Sequence, residues 1–91
     1  MEGKGMPELC RFLGITIQMY FDDHNPPHFH AIYNEYESVF CLDPLEHKEG
    51  NLPPRLIGLV FEWAEQHKSE LLDNWNLLAS EGKYRKIKPL V

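Results

Sequence analysis

This 91-residue sequence has only two cysteines. It has no long apolar run and no pattern typical of an export signal. The two cysteines, Cys10 and Cys41, form no CxxC pair, which argues against a structural zinc ribbon and against a disulfide-stabilised miniprotein. No apolar run approaches the ~20 residues needed to span a bilayer. The N-terminus has no basic stretch followed by an apolar one, as a signal peptide would. We therefore expect a cytoplasmic protein with free thiols and no membrane association.

The composition is that of an ordinary globular protein, with 43% hydrophobic and 25% charged residues. The length fits one domain. We expect a flexible leader over residues 1–5 and a single domain over residues 6–91, which ends in a short basic tail.

The charge of the chain is distributed unevenly. The net charge is -5, with 14 acidic and 9 basic residues, and every acidic residue precedes residue 83. The acidic body argues against broad nucleic-acid binding, which normally needs a basic face. The C-terminal tail is the exception and leaves a narrow RNA contact open, since it carries four cations and no acid: Lys83, Arg85, Lys86 and Lys88.

Three segments alternate between apolar and polar residues, as half-buried strands do. They cover residues 14–22, 28–33 and 36–43. The Asn34-Glu35 pair between the last two predicts a two-residue hairpin turn, because Asn tolerates positive φ.

The hairpin turn fixes the register of the two strands. Tyr33 would face Tyr36, and His28 would face Cys41. Because side chains alternate along a strand, His28 and His30 are expected on the face opposite Phe29 and Phe40. The face with the phenylalanines is the predicted core.

The second half of the sequence predicts helix. Residues 44–53 are rich in Pro, Gly and charged residues and are expected to form a loop. From Pro54 to Gly82, apolar residues recur with a period of 3.6. This stretch is either one long helix, whose end would overhang and allow a homodimer, or two helices with Ser69 capping the second. The fold class is therefore α+β, with about three antiparallel strands and one long or two sequential C-terminal helices on the apolar face.

The sequence resembles the bacterial family known as domain of unknown function 4160 over about residues 6–90. The resemblance is carried by Met6-Pro7, Arg11-Phe12, Gly14-Ile15, residues 19–31, residues 62–65 and residues 86–90. Relatives often carry glycine where this chain has Asn34-Glu35. No activity is established for this family. The resemblance implies a small bacterial cytoplasmic protein, sometimes encoded beside another small protein in a pattern typical of toxin–antitoxin pairs.

The candidate site is the segment from Asp22 to His30. His28 and His30 lie two residues apart on a strand, so their rings share one face. With Asp22 they make a set of two histidines and a carboxylate, which suits a divalent metal such as Zn or Mn. His24, His28 and His30 are equally candidates for acid–base catalysis. In the structural alternative, these side chains hydrogen-bond the backbone of the Pro26-Pro27 turn.

Arg11 is a separate candidate that could bind an anion or form a surface ion pair. Three functions remain open at this point. The protein is a toxin–antitoxin-type or regulatory partner of another small protein, a metal- or histidine-dependent hydrolase such as a ribonuclease, or a non-catalytic binding module. The sequence has no HExxH, nucleophile elbow or P-loop to favour an enzyme.

Overall fold

The protein is an α+β structure in which an antiparallel sheet is followed by two helices. The computed structural model describes residues 7–20 and 25–91. The five described strands lie in the order in which they follow in the chain, and two helices complete the fold: β1 Glu8–Phe12, β2 Ile15–Gln18, β3 His28–Tyr33, β4 Tyr36–Leu42, β5 Leu45–Gly50, α1 Pro54–Gln66 and α2 Lys68–Glu81. The predicted fold class is confirmed, whereas the predicted number of about three strands is too low.

The β3–β4 hairpin has the register that the sequence predicts. Tyr33 pairs with Tyr36, and His28 pairs with Cys41. Asn34 adopts a positive φ of 53° in the turn, as its residue type suggests. Local turn chemistry and alternation were therefore sufficient to fix this part of the sheet.

The two edge strands were not predicted. β1 pairs with β2 across a two-residue turn in which Leu13 and Gly14 both have positive φ. β5 occupies most of the segment that the sequence assigned to a loop, and this assignment was wrong. Its residues are largely charged because an edge strand has one row of backbone groups and much of its side-chain surface in solvent. Of the predicted strand over residues 14–22, β2 covers Ile15–Gln18, and residues 21–22 lie outside the described residues.

The helical stretch divides at His67, whose backbone (φ -121°) leaves the helical region. A continuous helix over residues 54–81 would be about 42 Å long, which exceeds the 34 Å longest dimension of the molecule. Pro53 precedes α1 and Gly82 ends α2 in a left-handed conformation, as predicted. Ser69 does not cap α2, since the helix begins one residue earlier, after His67. No helix among the described residues is both long and apolar enough to cross a membrane.

The core lies between the helices and one face of the sheet. Trp63 of α1 is fully buried. Its ring contacts the rings of Phe12 and Phe29, at centroid distances of 5.6 Å and 6.2 Å. Phe40 stacks on Phe29 and meets Phe61 edge to face. The apolar face of the β3–β4 hairpin is thus the core face, and its opposite face is left for polar groups.

Candidate functional site

The face of the sheet opposite the core carries the histidines and a cleft. We call it the outer face; its residues on β2, β3 and β4 are Thr16, Gln18, His28, His30, Ile32, Glu37, Val39 and Cys41. A cleft of about 490 Å³ opens on it, lined by Tyr20, Asn25, Pro26, His28, His30, Val39, Lys48 and Glu49. The sequence prediction that His28 and His30 lie opposite Phe29 and Phe40 is confirmed.

His30 is the most buried polar side chain of the cleft, with 9% of its surface exposed. Its Nδ1 lies 3.0 Å from the Glu37 carboxylate, and the Tyr20 ring packs edge-on against it at 4.5 Å. A carboxylate only accepts hydrogen bonds, so Nδ1 carries the proton and Nε2 of the neutral ring carries a lone pair. The buried Nε2 has no hydrogen-bond partner within the described part of the chain.

A second buried acceptor lies beside this ring. Gln18 pairs with His30 across β2 and β3, and its Oε1 is likewise buried without a hydrogen-bond partner among the described residues. Unsatisfied buried polar atoms each destabilise a fold by about 1–3 kcal/mol. A cation or hydrogen-bond donor that binds between these two acceptors would satisfy both of them and remove this destabilisation.

His28 connects the cleft to the Pro26-Pro27 turn. Its Nδ1 donates to the carbonyl oxygen of Pro26 at 2.7 Å, which is the contact that the structural alternative predicts. Its ring lies 5.6 Å from the His30 ring and 5.0 Å from the ring of Trp75 on α2.

The rim of the cleft contains two charged residues that the sequence analysis missed. In the β4–β5 pairing, Val39 pairs with Glu49 and the next residue, Phe40, pairs with His47. Lys48 is therefore an extra residue on β5 that has no paired residue on β4. An extra residue of this kind lets two successive side chains approach the same face, and both Lys48 and Glu49 line the cleft. They were missed because β5 was taken as a loop.

Glu37 was missed as a site residue although the predicted register contained the signal for it. His30 pairs with Val39, so Glu37 is the diagonal neighbour of His30 on the same face. Diagonal neighbours are within reach of long side chains. The Glu37 carboxylate is about half exposed, with 50% of its side-chain surface accessible.

The remaining predicted ligands are not all tested by the structure. Asp22 and His24 lie outside the described residues. In residues 7–20 and 25–91, no three His, Cys, Asp or Glu side chains are grouped to hold a metal ion. Arg11 is exposed and pairs with Glu8 through two hydrogen bonds of 2.8 Å and 3.2 Å. This pair lowers the pKa of the Glu8 carboxyl, and the anion-binding role of Arg11 stays a prediction.

A serine and a histidine also meet on the core side of the sheet. His47 Nε2 lies 2.9 Å from Ser38 Oγ, which accepts a further hydrogen bond from the Leu52 amide. The distance is that of a nucleophile and its base. Ser38 is fully buried, however, so no substrate reaches its hydroxyl. The pair fastens β4 to β5 and to the start of α1.

The four basic residues of the C-terminal tail lie away from the cleft. Lys83, Arg85, Lys86 and Lys88 are all exposed, while Ile87 between the last two is buried. The tail forms neither helix nor strand. Its backbone is held by the body of the protein, because the Ile87 amide donates to the Leu9 carbonyl at 2.9 Å.

Comparison with known proteins places the chain in a family without assigning it an activity. No curated protein and no solved structure gives a significant match. The family model described as Domain of unknown function (DUF4160) matches residues 14–76. The match includes every residue that lines the cleft and excludes β1 and the basic tail. Since it covers more than half of the sequence, the chain belongs to the DUF4160 family.

Proposed function

We propose that this protein is a small regulatory binding protein that holds a divalent metal ion, Zn or Mn, through Nε2 of His30, with His28 and Asp22 completing the ligand set that the sequence predicts. One observation carries the proposal. The buried Nε2 of His30 has no partner among the described residues, while Nδ1 donates to Glu37 at 3.0 Å. Histidines that ligate metals almost always donate their other ring nitrogen to a carboxylate or a backbone carbonyl.

His28 lies beside the His30 ring on the same face of β3, at a centroid distance of 5.6 Å. Its Nδ1 donates to the Pro26 carbonyl, and a hydrogen bond to a backbone carbonyl is typical of histidines that ligate metals. Asp22, as the sequence analysis predicts, would supply a further ligand. Two histidines and a carboxylate are a set that Zn and Mn both accept.

The proposed role is that of a regulatory partner, of the kind found in toxin–antitoxin pairs, in the cytoplasm. One feature supports a binding role over a hydrolytic one. The Ser38–His47 pair is closed to substrates because Ser38 is fully buried.

A histidine-dependent hydrolase, such as a ribonuclease, is the second candidate. The observation that favours it is the His30–Glu37 pair, since a carboxylate on Nδ1 holds a general base in the required tautomer. This candidate requires RNA hydrolysis that disappears in His30→Gln. The binding proposal requires metal binding without hydrolysis.

The test is a calorimetric titration of the chain, freed of any affinity tag, with zinc and then manganese chloride. We expect one site per chain. A metal at 100 times its dissociation constant should stabilise the native state by about 2.7 kcal/mol, which thermal unfolding with and without the metal measures. His28→Gln and His30→Gln should each lose this response. His67→Gln is the matched control because His67 lies at the junction of α1 and α2.

Two results would contradict the proposal. The first is a wild-type chain whose unfolding midpoint does not change with either metal. The second is a loss of metal binding in His67→Gln as large as that in His30→Gln, which would show that the metal binds histidines without selection.

A further inference from the structure

The C-terminal tail is fixed along its backbone although it has no regular secondary structure. Asn74 of α2, which is 2% exposed, makes two hydrogen bonds to the main chain of Arg85. Its Nδ2 donates to the Arg85 carbonyl at 3.0 Å, and its Oδ1 accepts from the Arg85 amide at 2.7 Å. Trp63 Nε1 donates to the Lys88 carbonyl at 2.8 Å. With the Ile87–Leu9 bond, the tail is attached at three successive points.

The cations of the tail take little part in this attachment. The Nζ atom of Lys83 lies 3.9 Å from Oε1 of Glu81, a weak ion pair on the surface. Arg85, Lys86 and Lys88 form no direct ion pair with the rest of the described chain, although Lys86 is close enough to Glu8 to help the Arg11 guanidinium lower the pKa of that carboxyl. Tyr84, between the first two cations, is 40% exposed. The fold therefore holds the backbone of the segment in place and leaves three charges and an aromatic ring on the surface.

We propose that this segment, residues 83–88, binds the phosphate backbone of single-stranded nucleic acid, with Tyr84 as a stacking platform for a base. Cations along a backbone together with an exposed aromatic side chain are the combination that binds single strands without reading their sequence. Because the tail is already ordered, binding costs less conformational entropy than it would for a flexible basic arm. The proposal is independent of the metal site.

The charged residues around the tail determine from which side a nucleic-acid strand can approach it. A groove of about 120 Å³ lies between the tail and α2, lined by Glu70 and Asp73 of α2 and by Arg85 and Lys86 of the tail. The two carboxylates repel phosphate inside the groove, so the strand is expected to run along the solvent side of the tail, where the long side chains of Arg85 and Lys86 can still reach it. The acidic body of the chain should confine contacts to the tail and make binding weak and strongly dependent on salt.

The experiment is fluorescence anisotropy with a 5′-labelled 12-nucleotide oligouridylate at sodium chloride concentrations from 20 to 300 mM. For two to four phosphate contacts, log K against log salt should have a slope of about -1.4 to -2.8. The Lys86→Gln/Lys88→Gln variant should reduce the slope by about 1.4. Tyr84→Ala should weaken binding without changing the slope.

The matched control is Arg55→Gln/Lys68→Gln, which removes the same charge from α1 and α2, outside the tail and the cleft. Its slope should equal that of the wild type. An equal loss in this control, or no binding at 20 mM salt, overturns the proposal. So does efficient displacement of the RNA by an oligo-glutamate peptide of equal charge, which would assign the tail to an acidic protein partner.

Discussion

Gly50 at the end of β5 lies directly against the main chain of Glu37. A Cβ at Gly50 would be 2.2 Å from the Glu37 carbonyl oxygen and 2.5 Å from the Cα of Ser38. The φ of Gly50 is also positive, at 110°, a conformation that L side chains rarely adopt. This contact brings the end of β5 close enough for Asn51 to bond with the Glu37 backbone in both directions.

Gly50→Ala should therefore destabilise the protein by more than about 2 kcal/mol, because backbone strain and a main-chain clash add. Gly58 in α1 is the control, since a Cβ there meets nothing within 4 Å. Gly58→Ala should stabilise by up to about 1 kcal/mol, as alanine does in a helix. Urea denaturation of both variants measures the difference; equal effects would mean that β5 is not held at this contact.

Trp63 should be the costliest side chain to remove from the core. It is fully buried against Phe12 and Phe29, and truncation of a buried aromatic residue costs about 3–5 kcal/mol. Trp63→Phe keeps an aromatic ring but loses the hydrogen bond to Lys88 and should cost less. Chemical denaturation of the two variants gives the comparison. A loss below about 1 kcal/mol for Trp63→Ala would contradict the observed packing.

The bond between His30 and Glu37 can be measured with a double-mutant cycle. His30→Ala, Glu37→Ala and the double variant should give a coupling free energy of about 0.5–1.5 kcal/mol without metal. With zinc present, the coupling should rise, because a carboxylate behind a ligating histidine strengthens metal binding. The His67–Glu70 pair joins the same residue types at the helix junction, and zinc should leave its coupling unchanged. Equal changes in both cycles would argue against a metal site at His30.

The two free thiols should differ in reactivity. Cys10 is 4% exposed, and burial raises the pKa of its thiol, so little thiolate forms at pH 8. Cys41 on the outer face is half-buried. In the native protein, iodoacetamide should modify Cys41 well before Cys10, as followed by peptide mass spectrometry, whereas both should react at similar rates in urea. Native Cys10 reacting as fast as Cys41 would contradict the packing of β1 on the core.

Local sequence determined the elements whose signals are contained within a few residues. The β3–β4 hairpin follows from alternation and from Asn34, which accepts the turn conformation. Pro54 and Gly82 mark the ends of the helical stretch because their backbone preferences act without help from distant residues. These signals were enough to place His28 and His30 together on the face opposite the core.

Tertiary structure decided the features that depend on contacts between distant residues. β5 is a strand because β4 supplies hydrogen-bond partners, and its charged sequence has no alternation that would predict it. The irregularity that brings Lys48 and Glu49 to the cleft exists only in that pairing. The tail follows its path because Asn74, Leu9 and Trp63 bind its backbone. Residue patterns record local backbone preference and burial. The β4–β5 pairing instead depends on which strand edge is available, and the tail contacts join residues 11 to 78 positions apart, whose proximity only the folded chain establishes.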